Sequence, residues 1–289
     1  MVKRQALFMY PLFFVAYFLA ACAAPQTPPP MTPTPSPVPS ATESIGAVAA
    51  PTSTPDPCAG ARGQVEQVAF DSPSIPHFYI YFPACYPYKG ETRYPVLYLM
   101  HGQNYQADQW LRLGVAEQAD ALMAAEKIPP FLIVMPFNKA SWRGVDVDEF
   151  GEVLVEELIP YVDEHYRTLG TREYRALGGI SRGGGWAIRY GLTRWDLFGA
   201  FGAHSPAIFY RDYSKLDDWL REIPTDFRPQ IYIDIGDGDG DLADARRFAD
   251  LLAEESFLHE WHLYAGGHEE RYWRAHLEEY LRWYGGVFE

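Results

Sequence analysis

The feature that most constrains the fold of this chain is the segment 175–186, which contains the pattern Gly-x-Ser-x-Gly around Ser181. A short apolar segment precedes the serine, and a helix-compatible segment follows it. A sharp strand-to-helix turn of this kind pushes the serine Oγ out of the sheet. The positions two before and two after the serine face each other across such a turn, and here they are Gly179 and Gly183. The segment therefore predicts strand, turn and helix, with Ser181 as a candidate nucleophile.

The same pattern also fits a glycine-rich junction that serves only for tight packing. The helix N-terminus beneath the serine would add unpaired N–H groups and a partial positive charge, which favour a developing oxyanion. A serine hydroxyl is nevertheless a poor nucleophile without a base and an orienting acid. The rest of the chain must supply both.

Buried-strand patterns alternate with helical patterns through much of the chain. Predicted strands occupy 64–70, 77–82, 94–100, 131–135, the segment before Ser181, 200–203, 231–235 and 260–264, and predicted helices include 115–125 and 148–166. The first two strands alternate in polarity and indicate an antiparallel pair at a sheet edge. The remaining alternation predicts an α/β fold in which a mostly parallel sheet is covered by helices on both faces. We expect Pro160 to kink the helix 148–166.

Polar residues follow several of these strands directly. In open α/β sheets, functional groups collect at the carboxyl ends of the strands. His101-Gly102-Gln103 follows the strand ending at Met100, an Asp-rich loop follows Gly236, and His268 comes shortly after Tyr264. Serine, acid and histidine thus appear at strand ends in chain order.

His268 is the candidate base, because it follows a strand and two glycines. It would accept the proton of Ser181 and return it to the leaving group, while an aspartate holds its tautomer. The competing histidines are His101, His204, His259, His262 and His276. Backbone N–H groups of Gln103 and Arg182 are the candidate oxyanion donors. The spacing leaves three acids open, namely Asp237, Asp239 and Asp241.

Two metal-binding patterns are broken in this chain. A calcium loop beginning at Asp237 would need glycine and glutamate where Leu242 and Phe248 stand. A zinc motif H-E-x-x-H beginning at His268 has Tyr272 at its fifth position. The sequence therefore predicts no metal site.

The first residues have the form of a secretory signal peptide. Lys3 and Arg4 precede an apolar run that ends in Leu-Ala-Ala-Cys22. The cysteine at that position resembles a bacterial lipobox, which predicts cleavage after residue 21 and a lipid on the Cys22 sulfur. Plain secretion and a retained anchor are the alternatives.

Residues 22–57 form a predicted disordered linker, because 23–57 contains eleven Pro and ten Ser or Thr. The folded domain is predicted at 58–289. Cys58 and Cys85 are the two cysteines besides Cys22, and in an exported protein such a pair favours one disulfide.

The formal net charge of −14 argues against nucleic acid and anionic lipid as partners. Membrane association is expected only through the N-terminal lipid. The sequence does not fix an oligomeric state.

The domain resembles the esterase family that includes esterase D, feruloyl and acetylxylan esterases, enterochelin esterases and mycolyltransferases. The matching stretches are 98–102 with Trp110, 156–163 with 166–168, 178–184, 197–200 and 266–268. The resemblance implies an α/β-hydrolase fold and a carboxylic-ester hydrolase that acts through an acyl-enzyme without a cofactor. In that family the acid tends to lie three residues after the glycine that closes its strand, which is Gly236 here and implies Asp239.

We expect the substrate to be an acyl or aryl ester of a sugar or polysaccharide outside the cell. Trp142, Arg143, Trp186 and His204 are the expected pocket walls. Two alternatives remain open: acyl transfer with the same triad, and a surface binding module that kept the fold without catalysis.

Overall fold

The computed structural model describes residues 61–86 and 90–289. All of them belong to the unit Thr54–Glu289. The predicted signal peptide, the lipidation site Cys22, the linker and Cys58 lie outside the described residues, so these features and the Cys58–Cys85 disulfide stay predictions. Among the helices described, none is both long and apolar enough to span a membrane.

An eight-stranded sheet forms the centre of the fold, with the strand order β1-β2-β4-β3-β5-β6-β7-β8. The strands are β1 (Gln64–Ala69), β2 (His77–Phe82), β3 (Val96–Met100), β4 (Leu132–Pro136), β5 (Arg175–Ile180), β6 (Ala200–His204), β7 (Gln230–Gly236) and β8 (Glu260–Tyr264). β2 pairs antiparallel with both β1 and β4, and the other pairs are parallel. The predicted antiparallel pair at the edge of a mostly parallel sheet is therefore confirmed.

Helices cover both faces of this sheet. They are α1 (Gln109–Leu113), α2 (Val115–Ala124), α3 (Phe150–Val153), α4 (Ile159–His165), α5 (Arg182–Thr193), α6 (Leu216–Glu222), α7 (Leu242–Glu254) and α8 (Glu270–Val287). Residues of α3 to α7 share one buried cluster. Residues of α1, α2 and α8 share the other.

The central strand β3 shows why the sheet must be covered on both sides. All its side chains are buried. Val96, Tyr98 and Met100 belong to the cluster beneath α3 to α7, whereas Leu97 and Leu99 belong to the cluster beneath α1, α2 and α8. Alternation with a period of two thus places apolar side chains in both layers.

The helix predicted over 148–166 is divided in the structure. α3 is followed by a π-helical segment, Leu154–Leu158, and then by α4. Pro160 lies at the start of α4, directly after the π-helical segment and inside one unbroken helical run, where a proline lacks the N–H that would continue the hydrogen-bond ladder. The expected irregularity is present, but it takes the form of a π-helical turn before the proline.

The parallel strands direct their carboxyl ends to one edge of the sheet. The loops at this edge are 101–108 after β3, 137–149 after β4, Ser181 after β5, 205–215 after β6, 237–241 after β7 and 265–269 after β8. Candidate functional residues from distant parts of the sequence are therefore brought to the same side of the molecule.

Candidate active site

Ser181 occupies a strained turn between β5 and α5. Its backbone has φ 56° and ψ −117°, a positive φ that few residues other than glycine adopt. A Cβ on Gly179 would lie 2.2 Å from the carbonyl carbon of Gly183, so neither position has room for a side chain. The close approach predicted for these two glycines is confirmed.

Backbone hydrogen bonds hold this turn against β6 and the loop that follows it. The Ser181 N–H donates to the carbonyl of His204 at 2.9 Å, and its own carbonyl accepts from the N–H of Ala207 at 3.0 Å. A Cβ on Gly183 would lie 2.3 Å from the carbonyl oxygen of Met100 at the end of β3. The serine is thus fixed between the ends of β3 and β6.

The imidazole of His268 is hydrogen-bonded to one particular acid. Its Nδ1 lies 2.9 Å from Oδ2 of Asp239 and 3.9 Å from Oδ2 of Asp241. Asp237 instead accepts the backbone N–H of Gly266 at 3.0 Å. The geometry therefore favours Asp239 among the three acids that the sequence left open, and it leaves Nε2 as the ring nitrogen that can take a proton.

The hydrogen bond between His268 and Asp239 shifts both pKa values. The bond to Asp239 raises the pKa of His268 above its ordinary 6.5, and the carboxylate charges of Asp239 and Asp241 act in the same direction against burial. Burial opposes ionisation of Asp239, but bonds from His268, the Asp241 N–H and the Ser205 hydroxyl lower its pKa below its ordinary value. The pair therefore favours an ionised acid beside a basic imidazole.

Aromatic contacts extend from His268 toward the loop after β3 that lies against Ser181. The edge of Trp273 lies against His268 at 5.2 Å between ring centroids, and Tyr105 contacts Trp273 at 6.4 Å. A Cβ on Gly102 would lie 3.2 Å from the Tyr105 ring and 3.6 Å from Cβ of Ser181. Trp273 and Tyr105 thus lie between His268 and the loop residue Gly102, which has little space between Tyr105 and Ser181.

The loop 101–108 after β3, which carries the candidate oxyanion donor Gln103, is held by the neutral side chain of His101. Burial lowers the pKa of His101 to about 4. Its Nδ1 lies 2.7 Å from the carbonyl of Gly102, and its Nε2 accepts the N–H of Asn138 at 2.9 Å. Nδ1 must therefore carry the proton, and His101 acts as a support of the loop. The Gly102 N–H donates to Oε1 of Gln109 at 2.8 Å.

The side chain of Arg182 points away from solvent into a polar network. Its Nη2 donates to Oδ2 of Asp148 at 2.7 Å and to the carbonyl of Arg143 at 2.8 Å. The guanidinium also lies over the rings of Trp186 and Phe209. The residue that follows the nucleophile is therefore fixed at its side chain as well as at its backbone.

The prediction that His204 lines the substrate pocket was wrong. The side chain is fully buried, with Nδ1 2.7 Å from Asp234 and Nε2 3.0 Å from the hydroxyl of Tyr284. It stacks on Tyr280 at 3.8 Å between ring centroids. Only the backbone carbonyl of His204 reaches the nucleophile turn, because its imidazole belongs to a polar cluster within the core.

The prediction for Trp186 was also wrong. This side chain is 2% exposed and packs against Phe150 and Phe209. Its ring lies against the Arg182 guanidinium and is too buried to contact a substrate. Trp142 is 70% exposed, with the Arg143 guanidinium 5.3 Å from its ring. Contact of these two residues with substrate stays a prediction.

Asp239, Asp241 and His268 are the one group of the described residues whose ligand atoms, within 4.8 Å of one another, could hold a metal ion. A metal bound through Nδ1 of His268 would replace the hydrogen bond to Asp239. The same atoms therefore serve either a His–Asp pair or a metal, and the observed hydrogen bond fits the His–Asp pair.

A cleft of about 800 Å³ opens between the loops after β4 and β6 and helix α7. Asp146, Tyr210, Arg211, Lys215 and Arg247 contribute to its walls. These walls are close in sequence to Arg143 and Ala207, whose backbones bond Arg182 and Ser181. Because the loops after β4 and β6 leave the same sheet edge as Ser181, the cleft lies on that side of the molecule, although Ser181, Asp239 and His268 do not contribute to its walls.

Sequence reasoning missed Asp148, Asn138 and Ser205. The one available signal for Asp148 was Arg182 itself, since a cation next to a buried nucleophile turn needs a counter-charge. Nothing in the sequence indicated which of several acids would supply it.

A mostly parallel sheet with this strand order, a serine at its strand-to-helix turn and a His–Asp pair at the same edge has the α/β-hydrolase fold. Residues 73–284 match the family model described as "Putative esterase". The chain belongs to that family.

A curated relative, the endo-1,4-beta-xylanase/feruloyl esterase of Xylanibacter ruminicola, is 32% identical over 233 residues, which are 75% of this chain and 31% of the relative. Esterase Rv1288 of Mycobacterium tuberculosis is 32% identical over 152 residues, 48% of this chain and 31% of that one. The chain thus spans under a third of the length of these relatives.

Solved structures agree with the fold. A ferulic acid esterase superimposes with a TM-score of 0.71 at 25% identity, covering 79% of this chain and 99% of that one. An S-formylglutathione hydrolase from Staphylococcus aureus gives a TM-score of 0.65 at 18% identity, covering 78% and 97%, and supports the fold alone.

Proposed function

We propose that this chain is a serine carboxylic-ester hydrolase that acts through an acyl-enzyme. Ser181 is the nucleophile, His268 the base and Asp239 the orienting acid. The hydrogen bond between His268 and Asp239, at the same sheet edge as the strained serine turn, is the observation that carries this proposal. Membership of the esterase family supports it.

In the proposed reaction, the Ser181 Oγ attacks the carbonyl carbon of the ester and its proton passes to Nε2 of His268. The backbone N–H groups of Gln103 and Arg182 stabilise the oxyanion of the tetrahedral intermediate. His268 then gives its proton to the leaving alcohol, which departs and leaves the acyl group on Ser181. A water molecule, deprotonated by His268, then attacks the acyl-enzyme, and His268 returns that proton to the Ser181 Oγ as the acid is released.

We infer that the alcohol part of the substrate is a sugar of a polysaccharide and that the acyl part is an aryl or short acyl group. The name of the Xylanibacter relative joins a xylanase with a feruloyl esterase. The cleft between the loops after β4 and β6 supports this substrate class, because the exposed ring of Tyr210 offers a stacking surface and its charged walls can bind hydroxyl groups.

We further propose that the protein is exported, lipidated at Cys22 and held away from the membrane by the linker 22–57, with a Cys58–Cys85 disulfide. A polysaccharide substrate outside the cell fits this location. Radiolabelled fatty acid should be incorporated into the wild-type chain but not into Cys22→Ser expressed in a lipoprotein-processing bacterium.

The direct test of the proposed activity is Ser181→Ala with an aryl acetate as substrate. Because removal of a triad nucleophile costs roughly 10⁴-fold or more in kcat, we expect the variant to be nearly inactive. A fluorophosphonate should label wild type and not the variant. Normal turnover by Ser181→Ala would refute the assignment, and failure of wild type to label would favour a binding module.

A further inference from the structure

The loop 137–149 is hydrogen-bonded to both residues that carry the proposed oxyanion donors, Gln103 and Arg182. The bonds are made to other atoms of these residues, so their backbone N–H groups stay available. The Ser141 hydroxyl donates to the backbone carbonyl of Gln103 at 2.6 Å. The backbone carbonyl of Arg143, from the same loop, accepts Nη2 of Arg182 at 2.8 Å. The two donors come from separate strands, so a single loop connects them.

Asp148 is the buried centre of these contacts. Its side chain has no exposed surface, and its Oδ2 accepts both Nη2 of Arg182 at 2.7 Å and Nδ2 of Asn138 at 2.9 Å. The Asn138 N–H continues to Nε2 of His101, and Nδ1 of His101 bonds the carbonyl of Gly102. One carboxylate thus reaches the residue after the nucleophile and, through two side chains, the loop 101–108.

Stability alone gives a weak reason for such a pair. The desolvation of two buried charges is costly, and apolar side chains of similar volume are often as stabilising. Catalytic donors, in contrast, must be held within about 0.5 Å of their productive positions. The buried carboxylate of Asp148 is connected to both segments that carry a proposed donor, and it can therefore hold them at a fixed separation.

We propose that Asp148 is a positioning residue that sets the distance between the two oxyanion donors, acting through the Arg182 side chain on one side and through Asn138 and His101 on the other. This inference rests on the proposed function of the same site. The carboxylate touches no substrate, so its effect must appear in stabilisation of the tetrahedral state and hardly at all in ground-state binding.

The first test is Asp148→Asn, with Asp163→Asn as the matched control. Asp163 also forms an aspartate–arginine ion pair, with Arg175 at 2.6 Å, but it lies at the amino end of β5 and its side chain is 26% exposed. Because removal of one oxyanion donor costs about 10²–10³ in kcat, we expect a displaced donor to cost about 10–100-fold in Asp148→Asn. KM for an aryl acetate and the acid limb of the pH profile should change little, and Asp163→Asn should keep its kcat.

The second test removes the buried charge entirely, because Asp148→Asn alone leaves Arg182 without its counter-ion and can impair folding. The double variant Asp148→Leu with Arg182→Met keeps the backbone N–H of residue 182 and replaces both charges with apolar groups. We expect it to fold, shown by a cooperative thermal transition, and still to lose about 10–100-fold in kcat.

Labelling of Ser181 by a fluorophosphonate gives a readout that does not depend on the natural ester. Its rate should fall in Asp148→Asn and in the double variant and stay unchanged in Asp163→Asn. Wild-type labelling rates in the folded double variant would overturn the positioning role. Wild type that labels normally but hydrolyses none of the esters would refute the proposed function while leaving the comparison among variants valid.

Discussion

Two carboxylates lie near Nδ1 of His268, and they differ in what they contribute. Asp239 is nearly fully buried and hydrogen-bonded to the imidazole, so it fixes the tautomer as well as the charge. Asp241 is more exposed and lies a full ångström further away. Burial raises the pKa of Asp241. Asp241 therefore acts on the imidazole through its charge alone, without a hydrogen bond.

This difference predicts distinct pH profiles for Asp239→Asn and Asp241→Asn. His268 must be neutral to accept a proton, so kcat/KM falls as the pH drops through its pKa. Removing the Asp241 charge lowers that pKa, which moves the acid limb to lower pH with little loss on the plateau. Asp239→Asn should lose about 10⁴-fold in kcat, because the tautomer is lost.

Asp237→Asn is the matched control for the pH profiles. It removes the same charge from the same loop, where Asp237 bonds the Gly266 N–H instead of the imidazole. The acid limb of the Asp237→Asn profile should shift less from its wild-type position than the acid limb of Asp241→Asn does. If the acid limb of the Asp241→Asn profile moved to higher pH, the Asp241 charge would not be raising the pKa of His268.

At the residue scale, the sequence was informative where chemistry depends on chain order and uninformative where it depends on side-chain direction. Ser181, His268 and the acidic loop each follow a strand, and strand ends can be read from hydrophobic patterning. His204 also ends a strand, but its imidazole turns into the core. Asp148 was missed because its partner, Arg182, meets it only after the loop 137–149 folds back.

At the scale of elements, the turn between β5 and α5 depends on backbone contacts that leave no space for a side chain. Three backbone atoms of Gly183 would lie 2.2–2.8 Å from a Cβ on Gly179. A methyl group there must push α5 away from β5. Because α5 carries the proposed oxyanion donor of Arg182, stability and activity should fall together.

Gly179→Ala is therefore expected to lower the free energy of unfolding by about 1–3 kcal/mol, as overpacking does. The corresponding fall in Tm is about 2–12 °C for a domain of this size, and esterase activity should fall as well. Gly286→Ala in α8 is the control, since no described atom beyond the adjoining turns of its own helix lies within 4 Å of its added Cβ. Alanine is the better helix former, so that variant should be as stable as wild type or up to about 1 kcal/mol more stable. Equal Tm values for the two variants would contradict the steric argument.

The elements themselves were largely predictable. Strands buried on both faces give apolar runs, and the antiparallel edge pair alternates in polarity, so types and order followed from patterning. The division of the helix 148–166 was not predictable in this way. A π-helical turn changes hydrogen-bond register by one residue without changing which residues are apolar.

At the scale of the whole molecule, several exposed large apolar side chains belong to loops at the sheet edge that also carries Ser181. Trp142, Val147 and Tyr210 are 70%, 64% and 89% exposed, and all belong to the loops after β4 and β6. Arg211, Lys215 and Arg247 line the cleft between these loops together with Asp146 and Asp244, which pair with Arg211 and Arg247. A mixed aromatic and charged surface at this sheet edge suits a sugar chain better than a small apolar ester.

This surface predicts that Tyr210→Ala will separate long substrates from short ones. Loss of one stacking ring is worth about 0.5–1.5 kcal/mol, so KM for a feruloylated xylo-oligosaccharide should rise about 2–12-fold while kinetics with an aryl acetate stay unchanged. Tyr174→Ala is the matched control, because Tyr174 is 40% exposed but precedes β5 at the opposite edge of the sheet. Equal effects of Tyr210→Ala on both substrates would show that the ring supports the site itself, and no effect on either would place the sugar chain elsewhere.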